Sequence, residues 1–296
     1  MKPAAQGSLA AWQPFTPRGI TAFARARLGR LLGVQLAMAL AAAGTIAWFV
    51  QTAWCPIITA AIGRVPERGE IRGGQLDWRG APHDVLAENR FLALTVDLEH
   101  TGEARSPAHL QIELGKSDIQ IQSLLGFTRV RYWPGWIVPC NRVELVPWWG
   151  AWSPPLLALL IVGTTALLML NWALLASLYF LPAWLVGFFA NRDLSLPGGW
   201  RLSGAALMPG ALLMSAAIIL YRWGMLELVG LIVAAVLHLV VGWGYVLASV
   251  LCIEKHSQVA TEHGNPFAAA NDEKARSTNA AAVQARDPRS EPPRQA

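Results

Sequence analysis

Four apolar runs set the first limit on what this chain can fold into: Leu31 to Val50, Leu156 to Leu181, Leu202 to Leu220 and Leu228 to Ile253. Each is near the length a helix needs to cross roughly 30 Å of hydrocarbon at about 1.5 Å per residue. The chain is 54% hydrophobic and only 15% charged, whereas a soluble domain carries about 25% charged residues. The runs therefore predict a polytopic α-helical membrane protein with four transmembrane helices. Its tryptophans gather at the ends of the runs: Trp48 and Trp54 close the first, Trp148, Trp149 and Trp152 open the second, and Trp200 and Trp223 bracket the third. That is the placement of interface anchors, with indole rings held at headgroup level.

Charge asymmetry predicts the orientation. Residues 1–30 hold Lys2, Arg18, Arg25, Arg27 and Arg30 and no acidic residue, whereas the long segment between the first two runs carries ten basic and eleven acidic residues. The positive-inside tendency puts the N-terminus in the cytoplasm, and four crossings return the C-terminus to the same side. The expected parts are a basic N-terminal segment (1–30), a first helix (31–54), an extracytoplasmic domain (55–150), a three-helix region (151–253) and a polar tail (254–296) whose composition is that of a disordered segment. Ile20 and Phe23 among three arginines read as a basic lead-in lying along the membrane interface. The net charge of +5 needs no nucleic-acid role to explain it.

Cys55 follows the first run, where a processed signal or a lipoprotein site would end. The residue before it is Trp54, bulky where cleavage requires a small side chain, and thirty residues precede the apolar core, so the run reads as a retained anchor. Cys140 lies shortly before the second run. A Cys55–Cys140 disulfide on the oxidising side would close a long loop and contribute roughly 4 kcal/mol; two free thiols are the other reading, and spacing alone leaves both open.

Between these cysteines the hydrophobic pattern changes to strict alternation. "FLALTVDLE", "HLQIEL" and "DIQIQSL" each put aliphatic side chains on one face and polar ones on the other, the period-two signature of a strand. "LGKSD" joins the last two as a hairpin, and "GEIRGGQLDW" and "FTRVRYW" read as further strands. The expectation is a small antiparallel sheet with one wet face, its apolar face covered by the "PIITAAIGRV" helix, the membrane or another protein. His83, Asp84, Asp97, His100 and His109 match no compact metal spacing and read as solvated polar residues. No nucleophile elbow, HExxH or phosphate loop occurs, so no catalytic residue, metal or cofactor is expected.

Within the runs, Asn171 and His238 are the polar residues to weigh. Gly230, Ala234, His238 and Gly242 recur every fourth residue, a small-residue face at which helices approach closely. Pro209, beside Gly210, predicts a kink in the third helix. With these parts in place, the stretches "VPERGEIRGGQLDW" and "WRLSGAALMPGALL" resemble a group of uncharacterised bacterial multi-pass membrane proteins with an extracytoplasmic domain between the first two helices. The resemblance spans residues 31–253 and carries no catalytic residues. It supports the architecture only. The expected setting is the cytoplasmic (inner) membrane, with the lipid bilayer and, through the outer domain, an envelope protein as partners. A non-enzymatic scaffold is the leading reading, and a small transporter or lipid-handling protein using the kinked helix and His238 is the alternative.

Overall fold

A computed structural model gives the fold and describes residues 15–255. Lys2 and the tail beyond Lys255 lie outside the described residues. The structure is 59% helical and divides into a helical bundle and a sheet domain. Four helical spans are long and apolar enough to cross a membrane: Leu28–Arg64, Arg142–Phe189, Leu196–Arg222 and Leu228–Leu251.

Helix α1 (Pro17–Ala24) starts where the Thr16 hydroxyl accepts from Gly19 N, with proline at its first turn, where a missing N–H costs nothing. Its apolar side does not rest on a lipid surface as the sequence predicted. Ile20 and Phe23 are fully buried in the bundle core with Leu31, Leu202 and Val250. Polar ties hold it there: Arg25 pairs with Asp193 at 3.0 Å and Glu254 at 3.5 Å, and the Arg201 guanidinium donates to Ala26 O. Packing against α5 and α7 removes more apolar area from water and lipid headgroups than a surface position would.

Helix α2 (Leu28–Phe49) passes through one π-helical turn, Val50–Trp54, into α3 (Cys55–Arg64). The first helix therefore does not end at Cys55. Helix α4 (Arg142–Phe189) is 48 residues long, about 72 Å at 1.5 Å per residue, more than twice the hydrocarbon thickness. Asn141 caps it, accepting from Glu144 N at 3.0 Å, and it runs through Pro147, Pro154, Pro155 and Pro182 without stopping. The helix begins before the three-helix region expected at 151–253, and its first turns lie within the segment assigned to the sheet domain, where Leu145 packs with Ala61 and Val65. Helices α5 (Leu196–Ala206) and α6 (Met208–Arg222) meet at Leu207, and α7 (Leu228–Leu251) returns along them.

The strands form two sheets. In the smaller one β1 (Gly69–Arg72) lies between β2 (Gln75–Trp78) and β8 (Ile137–Pro139). The β1–β2 turn places Gly73 and Gly74 at φ +61° and +77°, the left-handed pair that a two-residue hairpin favours. The larger sheet has the order β3-β4-β5-β6-β7, with β3 at His83–Glu88, β4 at Ala93–Asp97, β5 at Leu110–Leu114, β6 at Asp118–Ser123 and β7 at Gly126–Arg131. It is not purely antiparallel as expected, because β4 and β5 pair in parallel. A parallel pair cannot be joined by a tight turn, so residues 98–109 cross over the sheet. Helix α3 covers the apolar face: Ala61 and Val65 pack with Leu86, Ala87 and Val96.

Candidate functional site

The face of the larger sheet that the sequence assigned to water is its more deeply buried one. Asp97 is 0% and Glu113 1% exposed, and Thr95 and Gln111 are buried beside them. The 98–109 crossover is the cause, since it lies over the polar face and shuts out solvent. Buried polar groups must then find partners among themselves.

They do so around two histidines. His100 Nδ1 lies 2.5 Å from Glu113 Oε1, and its Nε2 lies 2.6 Å from Asp118 Oδ1. An ionised carboxylate only accepts, so satisfying both requires two ring donors, which is the imidazolium form. Burial opposes that charge, but the hydrogen bonds and charges of Glu113 and Asp118 outweigh it and hold His100 above the usual imidazole value. Glu113 Oε2 accepts from Gln111 Nε2 at 3.1 Å and Gln122 Nε2 at 3.2 Å. Gly115 is glycine because a Cβ there would collide with the His100 ring.

Asp97 forms the second group. It accepts from Gly102 N at 2.7 Å, Thr101 N at 3.1 Å and the Thr101 hydroxyl, and meets His83 Nδ1 at 3.0 Å. Burial raises its pKa, but the two backbone N–H donors, the hydroxyl and His83 together bring it below the usual carboxylate range. Both groups fasten the crossover to the sheet. His100 has both ring nitrogens engaged and Asp97 both carboxylate oxygens, whereas His83 Nε2 lies 3.9 Å from Glu103 Oε2. No three His, Cys, Asp or Glu residues among those described are arranged to hold a metal.

A third cluster joins the sheet domain to the bundle. His109 Nδ1 hydrogen-bonds the Tyr221 hydroxyl in the last turn of α6, and the rings stack with centroids 5.5 Å apart. Burial and the Arg90 charge lower the His109 pKa, which favours a neutral ring accepting from the phenol. Phe91, Phe49 and Tyr221 pack edge to face or tilted around the contact. The π-helical turn sits here and leaves main-chain carbonyls out of the regular ladder. Asn89 Nδ2 donates to Ala53 O at 2.7 Å, and Arg222 donates to Thr52 O at 3.3 Å and Thr52 Oγ1 at 3.1 Å. Arg90 spans the gap to Leu226 O and Glu227.

The residues singled out from sequence fare unevenly. Cys55 and Cys140 are free thiols. Cys140 N bonds Gly69 O, beyond the C-terminal end of α3, while Cys55 opens that helix. About ten residues of helix separate the two levels, roughly 15 Å, well past the reach of about 7 Å between Cα atoms that a disulfide allows. Asn171 is exposed on α4, because Thr165, Trp172 and Ala176 occupy the face turned to the bundle. Gln35, a polar residue of the first span that sequence reasoning passed over, does pack: it is buried and donates to Gly204 O at 3.0 Å. The available signal was its position on the Leu31–Gln35–Ala39 face of the first run.

His238 does not reach across to another helix; its Nδ1 meets Ala235 O in its own turn. The close approach at this level belongs to Gly210, where a Cβ would lie 2.8 Å from His238 O. Gly242 faces Leu207 across the same contact, while Gly230 faces Leu226, and Ala234 is half-buried. Pro209 lies in the first turn of α6 and not mid-helix, since the helix is interrupted at Leu207. Among the tryptophans, Trp54 is half-buried in the junction with Phe49 and Phe91, Trp149 donates to Thr59 Oγ1 and Trp200 to Ser177 Oγ. Trp48, Trp148, Trp152 and Trp223 are exposed.

No protein-family model, curated protein or solved structure matches the chain.

Proposed function

We propose that the chain is a non-enzymatic membrane protein whose helices hold the sheet domain outside the cytoplasm, N- and C-termini inside, for recognition of an envelope protein. One observation carries this reading: the β8 edge and its approach are apolar and uncovered, with Trp133 69%, Trp136 44% and Ile137 67% exposed. An unpaired edge strand with apolar side chains is a template for another chain, and exposed patches of this kind mark interaction sites. The closed hydrogen-bonding of His100 and Asp97 supports a structural and not a catalytic use of the titratable groups. A photo-crosslinking residue at Ile137 in cells should give a protein adduct that the same residue at Glu99, exposed at the end of β4, does not give. An Ile137 position that crosslinks to no protein removes the reading.

The alternative, a small transporter or lipid-handling protein, draws support from the break at Leu207 within the most buried part of the bundle. Ser203 and Ser249 are buried there with hydroxyls lacking a hydrogen-bond partner. Discontinuous helices are a recurrent element of transport sites. Loss of flux with unchanged membrane insertion in Ser203→Ala and Ser249→Ala would favour it over a scaffold.

A further inference from the structure

The β6–β7 hairpin turns on two residues, since Ser123 pairs with Gly126, and those two residues are Leu124 and Leu125. Tight turns facing water are built from Gly, Asn, Asp, Ser and Pro, which supply the required dihedrals and hydrogen bonds. Here Gly126 at φ +116° and the Ser123 hydroxyl, which accepts from Leu125 N at 3.3 Å, support the turn from its flanks, while the two residues at its tip are apolar and open, Leu124 61% and Leu125 90% exposed. Phe127, next on β7, is exposed as well. An apolar tip of this kind has a large cost in water and needs a non-aqueous setting.

Its position supplies one. Leu110 pairs with Ser123, and His109, one residue earlier, bonds Tyr221 in the last turn of α6. Strand β5 thus starts at the bundle, β6 returns toward it, and the turn hangs at that end of the sheet. A cavity of about 310 Å³ lies between the tip and the bundle, lined by His109, Gln122, Leu124 and Leu228, the first residue of α7. The tip is therefore level with the start of α7. Strand β7, which leaves the tip, is an edge strand of the sheet. Above the tip, Arg129 stacks on Phe127 with its guanidinium 5.6 Å from the ring centroid, and Arg131 is exposed two residues on. Apolar tip below and guanidinium above is the order in which acyl chains and phosphates meet a protein at a bilayer surface.

We infer that the Leu124–Leu125 hairpin tip dips into the headgroup and acyl boundary of the bilayer, making the sheet domain a second point of membrane attachment. A second copy fits the same surface poorly, because antiparallel β7–β7 pairing would bring Arg129 and Arg131 of both copies together. The inference rests on the four helices crossing a bilayer, and its test separates the two claims. The full chain is reconstituted in phosphatidylcholine–phosphatidylglycerol vesicles with an environment-sensitive fluorescent amino acid at Leu125, at Glu99, or at Val240, exposed in mid-α7. Each is read with aqueous iodide and with lipid carrying a doxyl quencher near the headgroup or deep in the acyl chain. The expected result is several-fold weaker iodide quenching at Leu125 than at Glu99, with strong quenching by shallow doxyl lipid, and quenching of Val240 by deep doxyl lipid. Iodide quenching at Leu125 equal to that at Glu99 overturns the inference while Val240 keeps the helices in lipid. Shielding of Leu125 from both quenchers also overturns it, since protein would then cover the tip. Loss of lipid quenching at Val240 overturns the membrane reading and the inference with it.

Discussion

The His109 ring stacks on Tyr221 and shares a hydrogen bond with its hydroxyl, so the start of β5 is fastened to the end of α6 across 112 residues of sequence. Around it, the Asn89 and Arg222 bonds to the carbonyls of the π-helical turn and the Arg90 bridge make the sheet domain and the bundle one unit.

Tyr221→Phe keeps the ring and removes the hydroxyl. The expected cost is about 1 kcal/mol, that of one net hydrogen bond. It should appear as faster amide exchange in residues 89–92 and 107–110, with little change at the far end of the bundle. In a double-mutant cycle with His109→Ala, a coupling near zero would show that the contact carries no energy.

His100→Ala leaves Glu113 and Asp118 facing each other without a cation in a nearly closed site. Destabilisation on the order of 3 kcal/mol is expected in the sheet domain, because removing one partner strands the other charges. Amide exchange across β5 and β6 measures it. His100→Gln, which keeps a donor but not the charge, should recover only part.

The same groups give the domain opposite responses at the two ends of the pH range. His100 is held above its ordinary value in the fold, so its contribution is complete below the unfolded imidazole value and is lost as pH rises through the raised one. Asp97 is held below its ordinary value, so its contribution is complete above the unfolded carboxylate value and is lost as pH falls through the lowered one. Thermal unfolding followed against pH should therefore show a stability plateau between the unfolded carboxylate and imidazole values. In His100→Ala the decline on the alkaline side should vanish, and in Asp97→Asn the decline on the acid side should shrink.

Gly210→Ala places a methyl group 2.8 Å from His238 O, so α6 and α7 must separate. Overpacking of this kind costs about 1–3 kcal/mol. Gly163→Ala on α4, where nothing lies within 4 Å, should be silent in the same thermal measurement.

Thiol chemistry checks the cysteine assignment. Denatured, unreduced protein should take up three alkylating groups, as expected of three free cysteines. In the native protein Cys252, exposed, should react first, and Cys140 slowly, because burial both blocks it and raises its pKa. Uptake of a single group would restore the Cys55–Cys140 bridge.

Much of this architecture is legible along the chain. Helices crossing a low-dielectric layer need long uninterrupted apolar stretches, and strands with unlike faces need alternation; both are local patterns, so the four spans and the β4, β5 and β6 segments stand out in one reading. What alternation cannot say is which face is wet. Thr95, Asp97, Gln111 and Glu113 looked like a solvated face because polarity usually goes with exposure, and only the parallel β4–β5 pairing, with its crossover, buried them and matched them to His100 and Thr101. Nor can local pattern measure distance between remote segments: the length of α3 separates Cys55 from Cys140, and the rotation of α4 turns Asn171 outward while Gln35 packs inward. Sequence by itself determined how much of the chain is apolar enough to leave water. Tertiary structure decided which polar groups leave water with it, because a buried hydrogen bond requires two partners and the chain brings them together only by folding.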